Sequence, residues 1–240
     1  MSKSIAVFGA GPGLGQAVAR RHAREGYEVV LVARRRESLE RLAKDLGEDG
    51  ATVHIVIADL ADTAAISGLA GRISRIVGDD LDVLYYAPTP DAGFVPAAQL
   101  TAQRAREYMP LTFYSLVDLV ERFLPGMINR GAGAVLTAQG ASSAHGMPNM
   151  SGPGPAQAAQ RNYLQSLHAE VIDKGVYVGM LYVGAIIEHS AFHAWTVTPE
   201  AAGQDWGPTV RPEYLADLLW NMAQQQGEAE ASYPADILGR

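Results

Sequence analysis

Short β-rich apolar runs alternate with longer amphipathic stretches along this chain. The first run, Ile5-Ala6-Val7-Phe8, leads into a glycine-rich turn and a helix predicted over residues 13–25 that presents Val18 and Ala19 inward. Gly26 closes that helix in the manner of a C-terminal glycine. A second strand is predicted over 29–32 and a helix over 37–46, with Leu39, Leu42 and Leu46 at helical spacing. A third strand over 53–57 precedes Asp59-Leu60 and a helix carrying Ile66, Leu69, Ile73, Ile76 and Val77. Further strands are predicted over 83–86, 134–137 and 176–182, separated by helical regions over 101–129 and 155–174. A less regular stretch covers about 187–209, then a helix 212–225, and one short strand within 231–238.

Repeated strand–helix alternation predicts an α/β fold, a doubly wound parallel sheet with helices on both faces in three α/β/α layers. Runs such as Val29-Val30-Leu31-Val32 do not alternate with polar residues, as expected for strands covered on both sides. No repeat or linker interrupts the pattern, so one domain over 1–240 is expected. Residues 1–140 would form mainly its cofactor half, and 141–240 its substrate side, with a lid at about 187–209.

Composition narrows the function. The 240 residues are 48% apolar and 19% charged, which suits a folded globule. The net charge of −7 gives no basic footprint for nucleic acid. There is no cysteine, which excludes disulfides, thiolate catalysis and Cys-ligated metals. No metal-ligand spacing such as HExxH is present, and no metal is assigned. The apolar run after Met1–Lys3 is too short for a signal-peptide core, and none approaches a membrane span, so a cytoplasmic protein without membrane association is expected.

Gly9-Ala10-Gly11-Pro12-Gly13-Leu14-Gly15 lies between the first strand and the first helix. Glycines permit positive φ and a close backbone approach to a pyrophosphate, and the helix N-terminus offers unpaired N–H groups and a positive dipole end. Strand before, helix after, within a βαβ unit: the context is that of a dinucleotide site in a Rossmann fold. After the second strand an acid would bind a ribose 2′-hydroxyl. Here Ala33 is followed by Arg34, Arg35 and Arg36, which favours the 2′-phosphate of NADP over NAD, with Arg34 the first contact and Arg35 the second. Asp59 and Leu60 reach either the adenine edge or serve as a turn cap for the following helix.

Together these residues resemble the short-chain dehydrogenase/reductase family over nearly the whole chain. The resemblance includes Gly9-xxx-Gly13-x-Gly15, Arg34, Asp59-Leu60, Leu81-Asp82-Val83-Leu84, Phe123-Leu124-Pro125-Gly126-Met127, Ser166-Leu167-His168-Ala169-Glu170 and Gly184. It implies binding of a nicotinamide dinucleotide, with Ala87 and Pro88 beside it, and a homodimer or homotetramer. The apolar helix bearing Leu111, Tyr114, Val117, Val120, Phe123, Leu124 and Met127 also points to subunit contact.

The family's chemistry uses a Tyr and a Lys one helical turn apart, with a Ser and an Asn. Counting back from Ala158-Ala159 and Ser166-Leu167 puts Pro153 at the Tyr position, Gln157 at the Lys, Gly140 at the Ser and Pro110 at the Asn. The turn after the fourth strand reads Tyr86-Ala87-Pro88-Thr89 instead of Asn-Ala-Gly. The lysines are Lys3, Lys44 and Lys174, and none has a Tyr four residues earlier. Tyr163 is on the right helix, but Tyr163-Leu167-Val171 reads as a core stripe. Ser142, Ser143, His145, Tyr182, His189 and His193 are the remaining polar groups expected near the substrate side, and Ser143, His145 and Tyr182 are the candidates for catalysis. Pro110 should kink or start its helix, and the prolines at 148, 153 and 155 should hold an extended loop. Two functions fit best: an NADP(H)-binding oxidoreductase homologue acting on a small apolar carbonyl or alcohol through non-standard residues, or a nucleotide sensor or structural subunit without catalysis; a lyase or isomerase reaction on the same scaffold is a third reading.

Overall fold

The computed structural model describes residues 3–78, 81–90, 93–201 and 207–238. Expectations that touch Met1, Ser2 and residues 202–206 of the lid lie outside the described residues. In chain order the strands are β1 (Ser4–Phe8), β2 (Glu28–Ala33), β3 (Val53–Ile57), β4 (Val83–Tyr86), β5 (Gly133–Gly140), β6 (Val176–Val183), β7 (Ile186–Ile187), β8 (Thr209–Val210) and β9 (Glu230–Tyr233). The helices are α1 (Leu14–Arg24), α2 (Arg36–Glu48), α3 (Ile66–Val77), α4 (Ala102–Met109), α5 (Ser115–Arg130), α6 (Pro153–Val171), α7 (Ala191–Thr196) and α8 (Pro212–Gln225).

Seven strands pair in the order β3-β2-β1-β4-β5-β6-β9, every ladder parallel. The chain winds outward from β1 to β3, then crosses back to β4 beside β1. That reversal leaves a crevice at the carboxyl ends of β1 and β4, where doubly wound sheets bind ligands. Side chains on β1 alternate between two cores. Ile5 and Val7 pack with α1, α2 and α8, while Ala6 and Phe8 pack with α3, α5 and α6. All eight residues of β6 are buried, which explains its uninterrupted apolar sequence.

Several predicted boundaries move, each for a local reason. Residues 155–174 begin instead at Pro153, because a proline in the first turn needs no N–H and brings a helical φ. The segment tightens at its end into a 3-10 turn over Ile172–Lys174. The 101–129 region is two helices joined by a π-helical turn, Pro110–Tyr114. A proline cannot donate to the preceding turn and crowds its carbonyl, and the wider winding absorbs both effects. The short final strand expected within 231–238 is Glu230–Tyr233, starting one residue earlier. Pro234 has no N–H for a ladder, and Ala235–Leu238 coils into a 3-10 turn. The stretch at 187–209 holds a short helix, α7, and is pinned at its base by the parallel pair β7–β8.

On the face formed by α1 and α8, His22 is buried with its Nδ1 2.9 Å from the Val18 carbonyl. The rings of Tyr27 and Trp220 meet it edge-on at 5.2 and 5.1 Å. Burial disfavours its charged form and holds its pKa near 4, with the Val18 carbonyl pulling weakly the other way. The unfolded chain therefore binds a proton below its ordinary value of 6.5 that the folded chain refuses until about 4. Stability present above that ordinary value is lost as pH falls through this window, by about 3 kcal/mol in full. Urea unfolding at about pH 7.5 and about pH 5 should show this loss, and His22→Leu should flatten the dependence. An unchanged slope in the variant would assign the acid sensitivity to other groups.

Candidate functional site at the carboxyl edge of the sheet

The crevice is built first by backbone. Gly9 and Ala10 donate to the Val32 carbonyl at 3.0 and 3.1 Å, and Ala87 donates to the Phe8 carbonyl at 3.1 Å. These bonds gather the ends of β1, β2 and β4. Gly9 and Gly13 have φ of +97° and +91°, a region side chains disfavour. A Cβ on Gly9 would stand 2.9 Å from the Pro88 nitrogen, and one on Gly15 would stand 2.1 Å from the Gly9 carbonyl oxygen. Above Gly11 nothing lies within 4 Å of that position. No side chain caps α1, and no acid occupies its first turn. The result is a shallow cradle with a helix N-terminus behind it, chemically suited to an anion.

The other residues singled out in the sequence divide into two groups. Arg34 and Arg35 are exposed immediately after β2, beside the cradle's outer edge, while Arg36 turns back to Glu40 at 3.3 Å. Asp59 is exposed, and its Oδ1 accepts from the Ala61 N–H at 2.9 Å, closing the turn after β3. Leu14 and Leu60 are buried, so their side chains belong to the core. The Leu60 carbonyl accepts from Ser115 Oγ at 2.6 Å. Any contact of these two leucines with a ligand would run through backbone.

Where β5 ends, Gly140 faces Gln157 of α6, and a Cβ at Gly140 would be 3.4 Å from Gln157 Oε1. Pro153 lies one turn before Gln157 on the same helix and is buried. Gln157 Oε1 is itself buried and accepts no hydrogen bond. Deeper in, Gln139 donates through its amide to Gln160, and Gln160 donates to the Thr112 carbonyl at 2.7 Å. Thr112 belongs to the π-helical turn, so the break at Pro110 feeds directly into this amide chain. The amide chain did not emerge from the motifs. Its sequence signal is two glutamines at otherwise apolar positions, Gln139 at the end of the fifth strand and Gln160 on an alanine-rich helix.

Ser143 Oγ is buried and donates to the Gly140 carbonyl at 2.8 Å. Tyr182 is buried, donates to Glu230 Oε1 at 2.8 Å, and lies under the Arg161 guanidinium at 5.1 Å. Burial pushes its phenol well above the ordinary range. Glu230 would be raised by burial alone, but Arg161 and then Tyr182 outweigh it and hold the carboxylate low. Arg161 also reaches the Ala144 carbonyl at 3.4 Å. His145 differs from Ser143 and Tyr182. It lines an open cleft of about 260 Å³ with Ser142, Ser143, Met147 and Met150. Tyr163 packs edge-on against Phe113 at 5.9 Å and borders the core. At the start of α7, His189 has φ +63° and its N–H donates to His193 Nδ1 at 3.3 Å. Ser190 caps α7 and stands 3.2 Å from where a Cβ of Gly13 would be. Among the described residues no three His, Asp or Glu side chains are placed to hold a metal ion, and no helix is long and apolar enough to cross a membrane.

The chain belongs to the short-chain dehydrogenase family, whose profile matches residues 3–193. An uncharacterized oxidoreductase of Mycobacterium tuberculosis is 26% identical over 223 residues, covering 90% of this chain and 62% of that protein. This chain thus spans less than two thirds of that relative's length. In fold it is similar to L-sorbose reductase from Gluconobacter frateurii, a structure complexed with NADPH and L-sorbose. The TM-score is 0.87 at 21% identity, over 100% of this chain and 97% of the other. It is also similar to a short-chain oxidoreductase of Pseudomonas aeruginosa PAO1 described as containing an atypical catalytic centre. There the TM-score is 0.82 at 21% identity, over 95% and 94% of the two chains.

The contact between Gly15 and Gly9 is testable directly. Gly15→Ala forces a methyl into a backbone carbonyl and should lower stability by about 1–3 kcal/mol, several degrees in Tm. Thermal unfolding followed by circular dichroism measures it, and a Tm equal to that of the parent protein would contradict the packing.

Proposed function

We propose that this chain binds NADP(H) across the carboxyl edge of its sheet, as an oxidoreductase homologue whose usual proton-transfer positions have been replaced. The cradle formed by Gly9, Gly11, Gly13 and Gly15 carries the reading. It is open above Gly11, closed to side chains at Gly9 and Gly15, and backed by the N-terminus of α1. Ala87 and Pro88 flank it, and Arg34, with Arg35 beyond it, would take the 2′-phosphate. Asp59 would face the adenine edge from its turn. When bound, the nicotinamide ring would donate or accept hydride.

The remaining chemistry is assigned to this chain's own groups. Gly140, Pro153, Gln157 and Pro110 occupy the positions of the family's Ser, Tyr, Lys and Asn. Neutral Gln157 can accept from a hydroxyl through its unpartnered Oε1, but it carries no charge with which to lower a neighbour's pKa. His145 is the titratable side chain that lines the cleft, and it is the residue proposed to exchange a proton with a bound carbonyl or alcohol. Ser143 and Tyr182 are engaged with Gly140 and Glu230, which favours reading them as structural. The same engagement supports a second reading, a nucleotide-binding protein without turnover. The relative with an atypical centre is consistent with either. We propose further that residues 1–240 act as one domain, that the stretch at 187–209 serves as its lid, and that copies associate through the α4–α5 face. There Tyr114 is 48% exposed next to Phe113.

Titration with NADPH and NADH, followed by turnover over a panel of ketones and alcohols, tests the proposal. NADPH should bind in preference, and Arg34→Ala should weaken NADPH about tenfold or more while sparing NADH, the loss expected for a charge-assisted phosphate contact. Equal losses for both would remove the 2′-phosphate assignment. Turnover abolished by His145→Ala would establish the rebuilt site, and tight NADPH binding without turnover would establish the sensor.

A further inference from the structure

We infer that the cleft beside α6, together with the aromatic mouth in front of it, takes a flat, uncharged, ring-bearing molecule. The inference rests on the reading of this edge as a ligand site and deepens it by naming the class of ligand. Large apolar side chains are concentrated there at the surface. Phe94, Met147 and Trp195 are 43%, 44% and 42% exposed, on three segments far apart in sequence.

Contacts bring those segments to one opening. Phe94 meets Phe192 of α7 edge-on at 5.9 Å, and Phe192 lies nearly parallel to Trp195 at 5.6 Å and 27°. Behind them the Ser151 N–H donates to the Val95 carbonyl at 2.9 Å, which ties the loop at 147–151 to the segment bearing Phe94. Tyr108 Oη donates to the Gly93 carbonyl at 2.6 Å and anchors the same segment from α4. Met147, Met150 and Ser151 in turn line the cleft. Mouth and cleft therefore adjoin.

The lining decides the chemistry. No Asp, Glu, Lys or Arg lines the cleft among the described residues; its titratable group is His145. A charged ligand would shed water there without meeting a counter-charge. The polar side chains of the cleft are Ser142, Ser143, His145 and Ser151, which serve a few hydrogen bonds on one side, while the rings of the mouth offer a polyol's hydroxyls no partner. Aromatic faces and methionine sulfur favour a planar π-system. His145 can donate to a carbonyl on that ring, and Ser143 Oγ, whose own proton goes to Gly140, can accept from a hydroxyl. A volume of about 260 Å³ lies just below the usual range for such sites, which limits it to one compact ligand.

Isothermal titration with α-tetralone, naphthoate and D-sorbitol, each with and without saturating NADPH, tests this class. α-Tetralone should bind. Trp195→Ala and Phe94→Ala should each weaken it about tenfold, as loss of one ring contact predicts, whereas Trp195→Phe should retain most of the affinity. Both positions are exposed, and circular dichroism would verify that the variants fold. Naphthoate or sorbitol binding as well as α-tetralone, or α-tetralone indifferent to both alanine variants, would overturn the inference. So would Trp195→Ala altering only the association state in sedimentation, which would make the rings a contact between copies. NADPH binding with no α-tetralone binding would sink this inference alone. Ring-dependent α-tetralone binding without NADPH binding would sustain it and remove the nucleotide reading.

Discussion

One close approach, between the carbonyl of Gly9 and the backbone of Gly15, governs how the ligand side of this fold is arranged. It sets the first turn of α1 directly against the end of β1 with no side chain between them. Two further segments then pack onto the same short loop. Pro88 closes against Gly9 from the end of β4, and Ser190 at the start of α7 settles over Gly13. The cradle, the turn after β4 and the start of α7 are therefore referenced to one stretch of seven residues. A parallel sheet whose order reverses at β1 guarantees that these parts converge on one edge.

Much of the fold was legible because parallel strands buried on both faces leave dense apolar runs. β1, β3 and β4 and the helices α3 and α8 fall where the periodicity puts them. What was not legible followed from prolines. A proline reads equally as a breaker or as a first-turn residue, and only packing decides between the two. At Pro153 packing chose the helix, and at Pro110 it chose a wider turn within a continuous helical path. The glycine cradle could be read from spacing, since backbone requirements leave a sequence signature. The mouth could not, because Phe94 and Phe192 lie on segments whose meeting depends on the whole sheet order.

The chemistry of the site is dominated by neutral groups. Three glutamines, Gln139, Gln157 and Gln160, gather behind the end of β5, and two of them leave a buried amide oxygen without a donor. An amide can orient a hydroxyl but does not stabilise an anion as an ammonium would. In the proposed reading, such groups suit recognition of shape and hydrogen-bond pattern better than strong acid–base work, with one imidazole as the exception.

The half-buried cluster of Arg161, Tyr182 and Glu230 has a reach beyond the strands it joins. Glu230 sits on the last strand, yet the guanidinium it neutralises also touches the Ala144 carbonyl at the rim of the cleft. Removing that carboxylate, by trimming or by unzipping β9, would strand a cation between helix and sheet with no counter-ion. Injury at β9 would thus be felt at the rim of the cleft, through a single side chain.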